Sequence, residues 1–161
     1  MQNQSPQQPQ GRTHPGVERQ YRNEQIVVNW EPKLCIHAGN CFRGLPAVFK
    51  PNERPWVIID AATADQIAKV VMTCPTGALH FERLDDGPQE PIAEETTIKL
   101  QINGPLYVRG RVRIIGPGGH VLREDTRLAL CRCGHSANKP FCDGSHFRVG
   151  FDTSEPSGST D

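Results

Sequence analysis

Apolar residues along the chain fall into two groups with a polar stretch between them. In the first group, Gln25–Trp30 carries enough branched and aromatic residues to predict a strand ending at Glu31-Pro32. Pro55–Asp60 predicts a second strand, and Ala61–Thr73 a helix in which Ile67, Val70 and Val71 share a face. Cys74 lies two turns beyond Ile67, so it leaves that helix on the buried side. Pro75 stops the helix and Thr76-Gly77 turns the chain into a strand over Ala78–Glu82. In the second group, Thr96–Ile102 and Leu106–Ile115 predict strands joined by an Asn103-Gly104-Pro105 turn. Gly116–Gly119 turns again, His120–Arg123 starts a return strand, and Arg127–Leu130 leads into Cys131. The fold class is α+β: a mixed unit followed by a small antiparallel sheet.

Between the groups, residues 85–95 are acidic, polar and interrupted by proline, which suits a linker. Residues 1–20 and 152–161 are too poor in apolar side chains to offset the entropy of ordering and are expected to be mobile tails. Two domains remain, 21–84 and 96–151, each of roughly 60 residues, a size at which a bound metal often supplies stability that a small core lacks.

Acidic and basic residues balance at 18 each, so no global charge favours nucleic acid or an anionic membrane. No apolar run approaches the roughly 20 residues of a membrane span, and the first twenty residues lack the apolar core of a secretion signal. The expectation is a cytoplasmic protein without nucleic-acid or membrane partners. In that reducing compartment cysteines bind metal or do redox chemistry more often than they pair. Cys35, Cys41 and Cys74 lie in one half and Cys131, Cys133 and Cys142 in the other, so disulfides within each half would leave a thiol over.

The segment Cys35-Ile-His-Ala-Gly-Asn-Cys41 presents two thiols from a loop in which Gly39 is free to take a positive φ. Cys74 alone could be core filler; with the other two it makes a three-thiol set. The Cys-x5-Cys segment followed by Cys74-Pro-Thr-Gly-Ala-Leu resembles a bacterial single-cluster ferredoxin of the divergent group, over about 21–83. The middle of the first motif, where four-iron members of the wider family carry a fourth ligand, is Ala38, which cannot bind iron. The resemblance therefore implies a 3Fe-4S cluster on Cys35, Cys41 and Cys74, with a 4Fe-4S cluster possible if His37 or a small molecule takes the fourth iron. His80 is expected to be a satisfied structural residue.

The stretch Cys131–His146 holds three cysteines and two histidines in sixteen residues. In extended backbone Cys131 and Cys133 point the same way, while Cys142 and His146 share a face of a helical turn, so each pair can chelate one iron. Asp143 suits the cap of that turn, binding amides near Ser145 and His146. Lys139 and Ser136 are candidate hydrogen-bond donors to the sulfurs, and His135 is expected to be peripheral. Three thiolates and an imidazole would also satisfy zinc. The stretch is similar to the CDGSH (NEET) signature at every defining position, with the resemblance running over about 97–151. It implies a 2Fe-2S cluster on Cys131, Cys133, Cys142 and His146, a β-rich fold and a tendency to pair as homodimers.

No nucleophile-base arrangement, phosphate loop or dinucleotide fingerprint is present, so no enzymatic activity is expected. The expected function is electron transfer through the two clusters, with unidentified redox proteins as partners. The alternative is a redox or iron sensor, or a donor that passes its histidine-ligated cluster to an apo-protein. Arg109, Arg111 and Arg113, at period two, form either a solvated strand face or a dock for an acidic partner.

Overall fold

The structure, a computed structural model, describes residues 19–154. Most of both expected tails, 1–18 and 155–161, lies outside the described residues. The first half is a three-stranded antiparallel sheet of β1 (Arg19–Arg22), β2 (Ile26–Trp30) and β3 (Leu79–Arg83), with β2 in the centre. β1 uses Arg19 and Gln20, two residues that composition alone assigns to the tail, because Tyr21 pairs with Val28 and extends the sheet.

Helix α1 (Asn40–Gly44) follows the first cysteine loop, and α2 (Ala64–Val71) packs Ala64, Ile67, Ala68 and Val71 into the core. Helix α2 is shorter than the Ala61–Thr73 pattern suggests, since Ile59–Ala61 forms a separate 3-10 turn and Thr63 caps the helix. The Thr63 hydroxyl accepts from the Gln66 amide at 3.2 Å while the Gln66 side chain accepts from the Thr63 amide at 3.0 Å, a reciprocal capping box that fixes where the helix begins. The strand expected over Pro55–Asp60 does not form beyond an isolated bridge between Phe49 and Val57. Trp56 and Val57 are both buried, at 7% and 2% exposure, whereas consecutive strand residues face opposite sides.

The second half is a sheet of β4 (Thr97–Leu100), β5 (Leu106–Ile115) and β6 (Val121–Leu130), in that order and antiparallel. The two expected return segments are one ten-residue strand, β6. A bulge between Arg109 and Val112 lets Gly110 adopt φ +122°. Arg109, Arg111 and Arg113 are all exposed, and Arg113 pairs with Glu124 at 2.6 Å. No helix among the described residues is long and apolar enough to cross a membrane.

The halves meet through buried charge. Arg123, Asp125 and Arg127 alternate along β6 and are all buried, as are Glu31, His80 and Glu90 from the other side. Arg123 binds Glu31 at 2.8 Å and Asp125 at 2.7 Å, while His80 lies between Glu90 at 2.7 Å and Asp125 at 2.9 Å. Arg127, 2% exposed, donates to Glu90 at 2.5 Å and to the carbonyls of Val71, Cys74 and Leu79 at 2.7–3.0 Å. The 85–95 segment thus does more than span a gap, because Glu90 enters this network.

Burial alone would keep His80 neutral, but its hydrogen bonds to Asp125 and Glu90 outweigh that and raise its pKa. Burial also opposes ionisation of Glu90, yet His80 and Arg127 hold its carboxyl down at about 2. With His80 protonated, three cations face three anions. A buried set of charges needs that balance.

Candidate metal centres

The first centre is assembled from three separated pieces of chain. A 3-10 turn at Pro32–Leu34 delivers Cys35, α1 carries Cys41, and Cys74 follows α2 with its amide bonded to the Val71 carbonyl at 3.1 Å. Gly39 takes φ +82° immediately before α1, as its position in the loop anticipates. Asn40 ties this loop to the last turn before Cys74 by donating to the Thr73 carbonyl at 2.8 Å. The three cysteines line one cavity together with Ala38, Trp30 and Trp56.

Burial pushes the Cys35 thiol up, and it pushes Cys41 up to about 11, with repulsion from Cys74 adding to both. Ionising Cys35 and Cys41 in this setting needs a cation beside them, which is the environment a metal cluster supplies. His37 is exposed with φ +57°, and its Nδ1 lies 4.0 Å from the Cys35 sulfur.

The second centre hangs from the end of β6. The Cys131 amide donates to the Pro140 carbonyl at 2.8 Å and the Cys142 amide to the Ala129 carbonyl at 2.8 Å, which holds the two arms of the loop side by side. The Cys131 and Cys133 sulfurs are 3.9 Å apart, and the Cys142 sulfur lies 3.4 Å from His146 Nδ1. The donors thus form two close pairs, one from the bend just after β6, where the spacing predicts extended backbone, and one from the turn that leads into α3 (Ser145–Arg148). Among the described residues no three of His, Cys, Asp and Glu converge as a site for a single ion.

Asp143 sets this turn as its position suggests. It accepts from the Ser145 amide at 2.9 Å, and its other oxygen accepts from the Ala137 amide at 2.9 Å across the loop. Against the effect of burial, the Ser145 hydroxyl, which donates to it at 2.5 Å, and then those two amides hold its carboxyl at about 2. Ser136 and Lys139 do not reach sulfur: Ser136 donates to the Phe141 carbonyl and Lys139 to the Ser136 carbonyl. The sulfurs are served by backbone instead, with Gly144 N–H on Cys142 and His135 N–H on Cys133, each at 3.4 Å. Burial opposes ionisation of Cys131, but the amides of Ser136 and Gly134 lower its pKa on balance. Burial lowers the pKa of His146, which keeps its imidazole neutral as a metal ligand requires.

The family model described as a divergent 4Fe-4S mono-cluster matches residues 21–83, and the iron-binding zinc finger of CDGSH type matches 103–147. The uncharacterized protein YjdI of Escherichia coli K12 is 38% identical over 66 residues, covering 41% of this chain and 87% of the relative. The chain belongs to the divergent mono-cluster iron–sulfur family and carries a CDGSH domain behind it. The iron-sulfur subunit of the nitrate-inducible formate dehydrogenase of the same organism is 30% identical over 92 residues, 53% of this chain and 30% of that subunit.

The mono-cluster and CDGSH domains bring their cysteine sets close to each other. Ile36, next to Cys35, packs in one apolar cluster with Ala129 and the CDGSH cysteine Cys142, and Ala38 and Tyr107 close its edges. Tyr107, whose pKa is raised by burial and then by Cys142 and Cys74, senses both sets. Sequence spacing predicts the composition of each set but not this contact, which depends on how β6 docks. Trp30, Trp56, Ile36 and Tyr107 are the functional-site residues that motif reading misses. They read as ordinary core and strand positions.

Proposed function

We propose that this iron–sulfur protein is an electron carrier, without enzymatic activity of its own, in which Cys35, Cys41 and Cys74 hold one cluster and Cys131, Cys133, Cys142 and His146 hold a 2Fe-2S cluster. The clusters, when bound, supply one-electron oxidation and reduction. The chain's residues supply the rest. Cys131 with Cys133, and Cys142 with His146, each present two donors to one iron of a bridged pair. Nδ1 of His146 faces Cys142, which leaves Nε2 to hold or release a proton as the charge of the centre changes.

The observation that carries this reading is the packing of Ile36 on Cys142 and Ala129. A residue beside a ligand of one centre packs against a ligand of the other, and Ile36, Ala129 and Cys142 are all buried. Two centres so placed suit passage of an electron within one chain, from an external reductant to an external oxidant, both of them proteins.

For the first centre, three thiols and Ala38 favour a 3Fe-4S cluster. The four-iron reading is favoured by one placement, His37 Nδ1 beside the Cys35 sulfur, and by the name of the matching family model. EPR of anaerobically purified protein with iron and sulfide counts separates them. A signal in the oxidised state marks three irons; an oxidised state without one, together with an iron count that includes four for this cluster beyond the two of the 2Fe-2S cluster, marks four, since the reduced 2Fe-2S cluster gives a signal in either case. The cluster-donor alternative is tested by incubation with an apo-ferredoxin, since a carrier keeps its 2Fe-2S absorbance and a donor loses it.

A further inference from the structure

The chain's only two tryptophans, Trp30 and Trp56, line the cavity of the first centre beside Cys35, Cys41 and Cys74. Both indole nitrogens are sealed from solvent, and neither finds a hydrogen-bond partner among the described residues. Core packing explains the rings. Trp30 ends β2 opposite Leu79, and Trp56 meets Trp30 at 4.8 Å between centroids and Phe49 at 5.7 Å. It does not explain the N–H groups, since a buried donor without an acceptor is a net cost that phenylalanine would avoid. The edge-on contact between the two rings can engage at most one of them, weakly, with a ring face.

We infer that Trp30 and Trp56 donate their indole N–H groups to sulfur of the cluster held by Cys35, Cys41 and Cys74, and so raise its reduction potential. The inference rests on reading those cysteines as cluster ligands. Reduction adds one negative charge, which spreads over the sulfurs, bridging and cysteinyl alike. A fixed donor stabilises the reduced form more than the oxidised one, and these two indole nitrogens, sealed from solvent, have no water to donate to instead. The tryptophans are positioning residues that tune the potential without ligating iron.

Because the chain holds two tryptophans, labelling their indole nitrogens with 15N reports on this pair alone. The full-length holo-protein, labelled in this way, is examined by pulsed EPR in whichever oxidation state makes the first cluster paramagnetic. The expected result is a 15N coupling that Trp30→Phe and Trp56→Phe each diminish. Each substitution should also shift the redox equilibrium of that cluster toward the oxidised form, a tenfold change being about 59 mV for one electron. The potential of the 2Fe-2S cluster should stay unchanged. A full iron and sulfide count with no 15N coupling in the unsubstituted protein overturns the inference while leaving the ligand assignment intact. Retention of all iron and sulfide in a Cys41→Ala, Cys74→Ala double variant overturns the ligand assignment itself. The labelling result stands even if a phenylalanine variant fails to assemble its cluster.

Discussion

Ala38 sits among three thiols and offers no donor of its own, so Ala38→Cys should supply a fourth ligand and favour four irons. The expected outcome is loss of the oxidised-state EPR signal and a gain of one iron per chain. At the second centre His146 is the single neutral donor. His146→Cys adds a negative charge, so the potential should fall and lose its pH dependence, and the cluster should survive to lower pH because no imidazole is left to protonate. Voltammetry and absorbance against pH read both effects. The pairing of these proposed ligands can be read from spacing because chelation imposes short-range geometry: period two for Cys131 and Cys133, four residues for Cys142 and His146. The environments were not legible. Nothing local in Trp30 or Trp56 distinguishes a core ring from a ring beside a cluster, and Ser136 and Lys139 turn to backbone carbonyls that only the folded loop presents.

Elements deliver these residues, and two of them carry most of the task. Helix α2 is fixed at its start by the Thr63 and Gln66 capping box, so Thr63→Ala should destabilise the mono-cluster domain by about 1 kcal/mol, measured by denaturant unfolding of the holo-protein. Strand β6 leads directly into Cys131 and also braces Cys74 through Arg127. Removing one member of a buried ionic set leaves its partners uncompensated, and Arg127→Met should cost about 3–5 kcal/mol. The first cluster, whose Cys74 turn loses its brace, should be the first to be lost. The existence of β2, β3, β5 and α2 could be read from periodicity. The Pro55–Asp60 segment misleads because its apolar run packs Trp56 and Val57 inward together. Nothing in the local sequence marks the alternating Arg123, Asp125 and Arg127 as buried, because charge pairing across domains leaves no trace there.

At the scale of the whole molecule, the six buried charges make one body of two undersized domains. His80 has a raised pKa in the folded chain, so its contribution to stability is fully present below the ordinary imidazole value of about 6.5 and is lost as pH rises through the folded value. Stability of the holo-protein should therefore decline as pH rises from about 6.5 through the folded value, and His80→Gln should flatten that decline. Glu90, held near 2, works in the opposite sense, its contribution disappearing only in strong acid. The domain order and both cluster motifs were readable from the chain; their contact through Ile36 and Cys142 was not, since it joins positions about a hundred residues apart. That contact is the basis for treating the protein as a carrier with two communicating centres. The most direct test supplies less than one electron per chain by rapid mixing and follows both clusters by freeze-quench EPR over a range of protein concentrations. Communication within the chain predicts that the electron redistributes between the clusters at a rate independent of concentration. A rate proportional to concentration, or no redistribution at all, would contradict it.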